Sequence, residues 1–224
     1  QGVPVVTTVG QYYGWWARRY DETMRSWTYP APARAAELLK LYMNTPQCAV
    51  ATGVTSLSCK QPLLDAGCGT GLSGQALHAA GFTNLVGVDA SGATLELCKR
   101  KGLYAALHNV DLDCTAGPLP FADGSFAAVT CVGVLSYVCR FDRLFKEWCR
   151  VTAPGGLVVF THRTELWDGN VCSVRSCAES LQVRGRFLRK RKARWVQQFV
   201  SSPEPYMPKN PSTETIQYHV YRVL

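Results

Sequence analysis

The sequence predicts an α/β chain, with a mostly parallel sheet, helices on both faces and an antiparallel pair of strands at the C-terminal end. Two observations carry this. Between residues 62 and 160, short apolar runs alternate with stretches of helical periodicity, the order of βαβ units. After residue 160 the alternation stops. Trp195–Val200 and Thr215–Val223 read as strands separated by only about 15 residues, among them Pro203, Pro205, Pro208 and Pro211, too short a span for a helical crossover. A chain of 224 residues with 47% hydrophobic and 18% charged residues is long and apolar enough to bury one sizeable core.

The elements follow in order. Residues 11–43 read as helical, with Tyr13, Trp16 and Tyr20 at one helical spacing and Ala35, Leu38, Leu39 and Tyr42 at another. Tyr29-Pro30-Ala31-Pro32 divides the two helices, because proline fixes its own φ and restricts the residue before it. Residues 44–61 are polar and contain Gly and Pro, the composition of a loop. Pro62-Leu63-Leu64-Asp65 is the first strand, followed by a helix from Leu72 to Ala80. Leu85-Val86-Gly87-Val88-Asp89 is the second; Ser91 can cap the helix over 92–100 and Gly102 can end it. Tyr104 to Leu112 is the third strand and Phe126 to Val132 the fourth. A helix over 142–151 presents Leu144, Phe145 and Trp148 on one face, and Ala153-Pro154-Gly155-Gly156 turns the chain into a fifth strand, Leu157–Phe160. Residues 171–189 read as helical.

Several function classes are excluded. None of the ten cysteines forms C-x-x-C and no His pair stands at ligand spacing, so a zinc site is not expected, and no other metal site is read. Thiols inside apolar runs, such as Cys98, Cys131 and Cys149, point to a reducing, cytoplasmic compartment. No apolar run approaches the roughly 18 residues of a membrane span, and no signal segment opens the chain. The first residue is Gln1 rather than Met, so the chain is expected to begin inside a longer protein. The net charge of +8 is local: Arg184, Arg186, Arg189, Lys190, Arg191, Lys192 and Arg194 account for all but one of it. A self-repelling, solvated segment is the favoured reading; a contact for phosphates or acidic substrates is the alternative.

The chemistry is concentrated in Asp65-Ala66-Gly67-Cys68-Gly69-Thr70-Gly71. Glycines serve a sharp strand-to-helix turn that a ligand approaches, and the following helix presents unpaired N–H groups to an anion or carboxylate. Gly69 to Gly74 also matches G-x-G-x-x-G, with Asp89 at the position of a ribose-binding acid, which suits a dinucleotide enzyme. Three features argue against that reading. Asp65 is awkward beside a pyrophosphate but useful to an ammonium group, Asp111 adds a third acid, and too little chain follows the fifth strand for a separate catalytic domain.

These residues carry a family resemblance. Asp65–Gly71, Val88-Asp89-Ala90-Ser91, Leu119-Pro120-Phe121 with Gly124-Ser125-Phe126, and Ala153-Pro154-Gly155-Gly156 resemble, in order, the motifs of class I S-adenosylmethionine (SAM)-dependent methyltransferases. Tyr13-Gly14-Trp15-Trp16-Ala17-Arg18-Arg19-Tyr20-Asp21 and the Tyr29-x-x-Pro32 segment resemble the methyltransferase-like 27 group, the Williams–Beuren-region methyltransferase. Ala127 stands where the family usually has Asp, and Gly14 where the group has Asp.

The resemblance implies a Rossmann-like, mostly parallel seven-stranded sheet and one domain over 1–224: a helical lid (1–45), a SAM-binding core (62–160), and a substrate-side helix with a C-terminal hairpin (161–224). Gly67, Cys68, Gly69 and Gly71 would underlie the methionine part of SAM, with Asp65 near its ammonium. Asp89 would hold the ribose, with Ala90 against the adenine. Asp111, or else Asp113, would accept from the adenine amino group, with Leu112 at the ring. Val132 and Gly133 would lie near the sulfonium, and Tyr13, Trp16 and Tyr20 would close a lid. If the acceptor needs a base, His162 is the first candidate and Tyr137 the second, although an in-line displacement on an activated methyl group can proceed by positioning alone. The expected function is methyl transfer from SAM to a small molecule, leaving S-adenosylhomocysteine. Two alternatives stand beside it: a nucleic-acid or protein methyltransferase using residues 184–194, and an inactive SAM-binding module. The oligomeric state is not readable.

Overall fold

A computed structural model describes residues 19–45, 58–114, 117–168, 173–182, 194–210 and 213–224. Its strands are β1 (Leu63–Ala66), β2 (Leu85–Asp89), β3 (Ala106–Asn109), β4 (Phe126–Cys131), β5 (Thr152–Arg163), β6 (Trp195–Val200), β7 (Glu204–Pro205) and β8 (Thr215–Val223). Its helices are α1 (Ala31–Met43), α2 (Leu72–Ala79), α3 (Gly92–Arg100), α4 (Phe141–Val151) and α5 (Val174–Ser180), preceded by a helical segment over residues 19–26.

The strand order is β3-β2-β1-β4-β5-β8-β6, with β7 paired to the start of β8. β1 to β5 are parallel, and β8 runs antiparallel between β5 and β6. The sheet therefore has eight strands, one more than expected, because Glu204–Pro205 inside the proline-rich connection adds a two-residue strand. The third strand is shorter than the Tyr104–Leu112 run, since Tyr104 turns its ring inward to pack and Val110 onward serves the site. β5 is longer than Leu157–Phe160: Ala153-Pro154-Gly155-Gly156 lies within it, beside a register shift against β4.

Side chains alternate across the sheet. On one face Leu64, Val129, Val158, Phe160 and Tyr221 pack under α4 and α5, where Phe145, Trp148 and Ala178 are buried. On the other, Leu63, Leu85, Leu157, Val159, Tyr218 and Val220 meet Ala35, Leu38 and Leu39 of α1 and Leu77 of α2. Pro32 sits in the first turn of α1, where a missing N–H costs nothing. Ser91 caps α3 by accepting from Thr94 N–H, as its spacing predicts. The turn before β4 is held by Arg150 of α4, whose guanidinium donates to Glu147, Asp123 and the Leu119 and Phe121 carbonyls.

Of the stretch read as helical over 171–189, residues 174–180 form α5; residues 171–172 and 183–189 lie outside the described residues. So do Tyr13, Trp16 and the basic segment up to Ala193. Among the described residues, no helix is long and apolar enough to cross a membrane, and no cluster of His, Cys, Asp or Glu could hold a metal ion.

Candidate active site

β1 lies between β2 and β4, so the strand order reverses there, and in such sheets a crevice opens beyond the carboxyl ends of the strands. A cavity of about 470 Å³ occupies that place, within the range of sites for small ligands. The glycine loop after β1 forms its floor. Gly67 and Cys68 N–H groups donate to Val88 O of β2 at 2.8 and 2.9 Å, which holds the loop against the sheet. Gly67 has φ +77°, and a Cβ there would lie 2.4 Å from Val134 Cγ2, so only glycine brings the loop this close to the chain after β4.

Asp89 closes β2. Its Oδ2 accepts from Gly69 N–H at 2.9 Å, and its Oδ1 accepts from Ser91 N–H at 2.9 Å and Thr94 Oγ1 at 3.1 Å. These donors fix the carboxylate at the cavity wall, where Ala90, Ser91 and Thr94 also face the space. A Cβ on Gly69 would meet nothing within 4 Å, so the loop is open on its cavity side.

After β3, Asp111, Leu112 and Asp113 line the next wall. Asp111 Oδ1 accepts from Asp113 N–H at 3.0 Å, while Asp113 Oδ1 accepts from Cys139 N–H at 2.7 Å and Arg140 N–H at 3.0 Å. Asp113 thus ties this loop to the start of α4, a structural task the sequence did not separate from that of Asp111. After β4, Val132, Gly133, Val134, Tyr137 and Val138 complete the wall, and Gly133 N–H donates to Thr161 Oγ1 at 2.9 Å.

Asp65 does not line the cavity. It is fully buried, its Oδ2 accepts from Ser73 Oγ and Tyr104 Oη, both at 2.6 Å, and Thr130 Oγ1 lies 3.4 Å from its Oδ1. Burial outweighs these hydroxyl donors and pushes its pKa up to about 6. Gly71 also stands outside the lining; in left-handed conformation (φ +91°) it turns the loop into α2.

His162 lies away from the cavity. It is buried between Phe141 and Trp167, and burial lowers its pKa to about 4. Both of its ring nitrogens are buried with no hydrogen-bond partner among the described residues. Tyr137 does face the cavity and is half exposed.

Tyr20 lines the cavity from the helical segment 19–26. Its neighbour Asp21 fastens that segment: Oδ1 accepts from Thr70 Oγ1 at 2.5 Å and Oδ2 from Lys101 Nζ at 2.6 Å. Tyr29, Pro32 and Leu72 add further lining. Sequence reasoning missed Tyr29, Thr70, Ser73, Tyr104 and Thr94 as site residues. Tyr29 carried a signal in the Tyr-x-x-Pro segment, and Thr70 and Ser73 stood inside the glycine motif; Tyr104 and Thr94 meet their partners only through the fold.

Residues 64–160 match the model of a methyltransferase domain. The region is a methyltransferase domain. Human methyltransferase-like protein 27 is 36% identical over 165 residues, which is 73% of this chain and 61% of that protein. The demethylmenaquinone methyltransferase of Renibacterium salmoninarum is 38% identical over 110 residues, 46% of this chain and 43% of that one. The chain thus spans less than two thirds of the length of these curated relatives. Among solved structures, the [4+2]-cyclase SpnF aligns with TM-score 0.62 at 17% identity over 99% of this chain and 98% of its own. A geranyl diphosphate methyltransferase in complex with GPP and sinefungin aligns with TM-score 0.57 at 17% identity, over 84% and 76%. The methyltransferase domain has the Rossmann-like fold of these neighbours, with its antiparallel strands at the C-terminal end.

Proposed function

We propose that this chain is a SAM-dependent methyltransferase that acts on a small-molecule acceptor. The observation that carries the reading is one cavity, beyond the ends of β1 to β4, faced by Gly67, Gly69, Asp89, Ala90, Asp111, Leu112, Val132 and Gly133. The residues fit SAM. The glycine loop leaves open space for a ligand backbone, a fixed carboxylate stands at the end of β2, and three aspartates with aromatic walls suit a cationic ligand. Bound SAM supplies an activated methyl group on a sulfonium centre.

In this reading Asp89 accepts the ribose hydroxyls and Ala90 packs against the adenine. Asp111 accepts from the adenine amino group with Leu112 beside the ring, while Asp113 holds the loop to α4. Gly67, Cys68 and Gly69 pass beneath the methionine part. Asp65, turned to Ser73 and Tyr104, sets the loop rather than touching the ammonium. Val132 and Gly133 face the transferring methyl, and Tyr20 covers the methionine end; Tyr13 and Trp16 lie outside the described residues. Alignment of acceptor and methyl group contributes on the order of 7–11 kcal/mol in well-oriented reactions, so the site does not require a base.

A small acceptor is supported by the cavity's volume of about 470 Å³ and by relatives named for demethylmenaquinone and geranyl diphosphate. The single-domain reading, with 1–45 as lid, 62–160 as core and 161–224 completing the sheet, rests on the continuous sheet that spans β1 to β8. The free thiols of Cys59, Cys68, Cys98, Cys114, Cys131, Cys139 and Cys149 support a reducing, cytoplasmic setting. Calorimetry with SAM and S-adenosylhomocysteine tests the reading, followed by an acceptor screen with methyl-labelled SAM. Binding of neither nucleoside sinks it; binding without transfer to any acceptor leaves a SAM-binding module.

A further inference from the structure

Tyr104 comes from the chain between α3 and β3 and does not line the cavity, yet its hydroxyl reaches the buried carboxylate at the base of the glycine loop. Glycines open the route. Leu107, Gly87, Asp65 and Thr130 are partners across β3, β2, β1 and β4, so this row shares one face of the sheet. At Gly87 the row has no side chain, and the Tyr104 ring takes the place: a Cβ there would lie 3.0 Å from Tyr104 Cδ1. Gly74, in the first turn of α2, makes room for the far end of the ring. A Cβ there would lie 2.2 Å from Tyr104 Oη and 2.4 Å from its Cζ. The last glycine of the G-x-G-x-x-G run therefore admits Tyr104 rather than a ligand.

Asp65 Oδ2 accepts from Tyr104 Oη and from Ser73 Oγ of α2, both at 2.6 Å. One oxygen thus ties α2 and the chain before β3 to the end of β1, where the glycine loop departs. The groups that face this carboxylate are Ser73, Tyr104, Thr130, the Cys68 and Cys131 thiols, and Asp89. No cation stands among them. Burial and the adjacent carboxylate keep the Tyr104 phenol protonated, so toward Asp65 it donates. A hydrogen bond with Cys98 and burial keep the Cys68 thiol protonated, and burial does so for Cys131. The charge on Asp65 is therefore upheld by hydroxyl donors alone, against burial and the repulsion of Asp89, which leaves its pKa at about 6.

We infer that Tyr104 is a positioning residue for SAM: its hydroxyl, admitted by Gly74 and Gly87, holds Asp65 in its charged form below the methionine part of the ligand and so favours the cationic cofactor without touching it. This rests on the methyltransferase reading above. The sign follows from the direction of the hydrogen bond. Tyr104→Phe removes one donor to the carboxylate, so Asp65 keeps its proton to a pH higher by about one, the low end for a hydrogen bond to a charged group. A neutral Asp65 withdraws its attraction for the cation. The variant is therefore weaker only in the pH range where its protonation differs from that of the parent.

The test is calorimetry with SAM at about pH 6 and about pH 8 on the parent and on Y104F; the ligand's own titration cancels in the ratio of the two affinities. At the lower pH about half of the parent and about nine-tenths of the variant carry the proton on Asp65. Y104F is expected to bind about fivefold more weakly there, and within about twofold of the parent at the higher pH, where both carboxylates are ionised. That retained affinity also shows that the variant is folded. In an Asp65→Asn background, which has no charge to lose, adding Y104F is expected to change the affinity equally at both pH values. A loss in Y104F that is equal at both pH values, as a merely structural role would give, overturns the inference. So does no loss at the lower pH, or a pH-dependent loss that persists in the D65N background. A parent that binds no SAM at either pH instead overturns the methyltransferase reading.

Discussion

Asp21 lies outside the cavity yet controls one of its walls. It fixes the helical segment that carries Tyr20 to two points of the nucleotide side, Thr70 in the glycine loop and Lys101 just past α3. The ion pair is only partly shielded, with side chains 20% and 19% exposed for Lys101 and Asp21. An exposed pair contributes about 0.2–1 kcal/mol, and a hydrogen bond to a charged group about 1.5–3. For this intermediate case about 2 kcal/mol for the whole latch is reasonable, a factor of about 30 in the docking equilibrium. Asp21→Ala should weaken S-adenosylhomocysteine binding by up to that factor, because only the docked segment presents Tyr20 to the cavity. Asp21→Asn keeps an acceptor for Thr70 but loses the charge, so its loss should be about fivefold, and the gap to wild type should narrow in 0.5 M salt, a concentration chosen to screen the pair. Calorimetry measures the affinities, and hydrogen exchange of the amides over 19–26 reports docking. If D21A binds within twofold of wild type and exchange over 19–26 is unchanged, the latch does not exist as argued.

Asp89→Ala should weaken S-adenosylhomocysteine by at least about a hundredfold, since two charge-assisted hydrogen bonds to ribose are worth about 3 kcal/mol together; unchanged affinity would remove the ribose assignment. Gly67→Ala should cost about 2–5 kcal/mol in urea unfolding, from the left-handed φ and the 2.4 Å approach to Val134, and a cost below about 1 kcal/mol would contradict the close-packing argument. Stability should fall as pH drops below about 6.5. Burial lowers His162 to about 4 and His219 to about 3, so each must lose its proton to fold in that range. Asp65, raised to about 6, takes up a proton and opposes them, leaving a net slope of about 1.4 kcal/mol per pH unit between about pH 4 and 6. His219 stacks against both Phe160 and Trp167, so His219→Phe should keep these contacts and flatten that slope in urea titrations; an unchanged slope would refute the assignment.

What was legible in the sequence was local or periodic. The alternation of runs and helices gave β1 to β5, the Ser91 cap was readable from spacing, and the short proline-rich connection required β6 and β8 to be antiparallel. Asp89 was legible from its place at the end of the second strand, whereas Gly133 came only from the family resemblance. What was not legible depended on distance. Asp65 sits beside the glycines in sequence, but its partner Tyr104 comes from beyond α3, and that contact turns the carboxylate away from the cavity. His162 follows β5 as a base might, yet Phe141 and Trp167 enclose it, and neither contact leaves a trace in the spacing. The sharing of tasks between Asp111 and Asp113 depends on the chain folding back to Cys139 and Arg140.

The strand order has a consequence for how the chain is made. β6 has β8 for its neighbour, and β8 lies between it and the rest of the sheet. During synthesis β6 emerges first and, apart from the bridge from Trp195 to Gln182, has no strand to pair with until residues 215–223 follow, and the outer edge of β5 awaits the same late segment. Contacts of this long range form slowly, and an unpaired strand edge is a template for association with other chains. A ribosome stalled before residue 215 would therefore display an open parallel half-sheet with a detached ribbon beside it, and that nascent form, rather than the finished protein, is where a holding chaperone has something to grip.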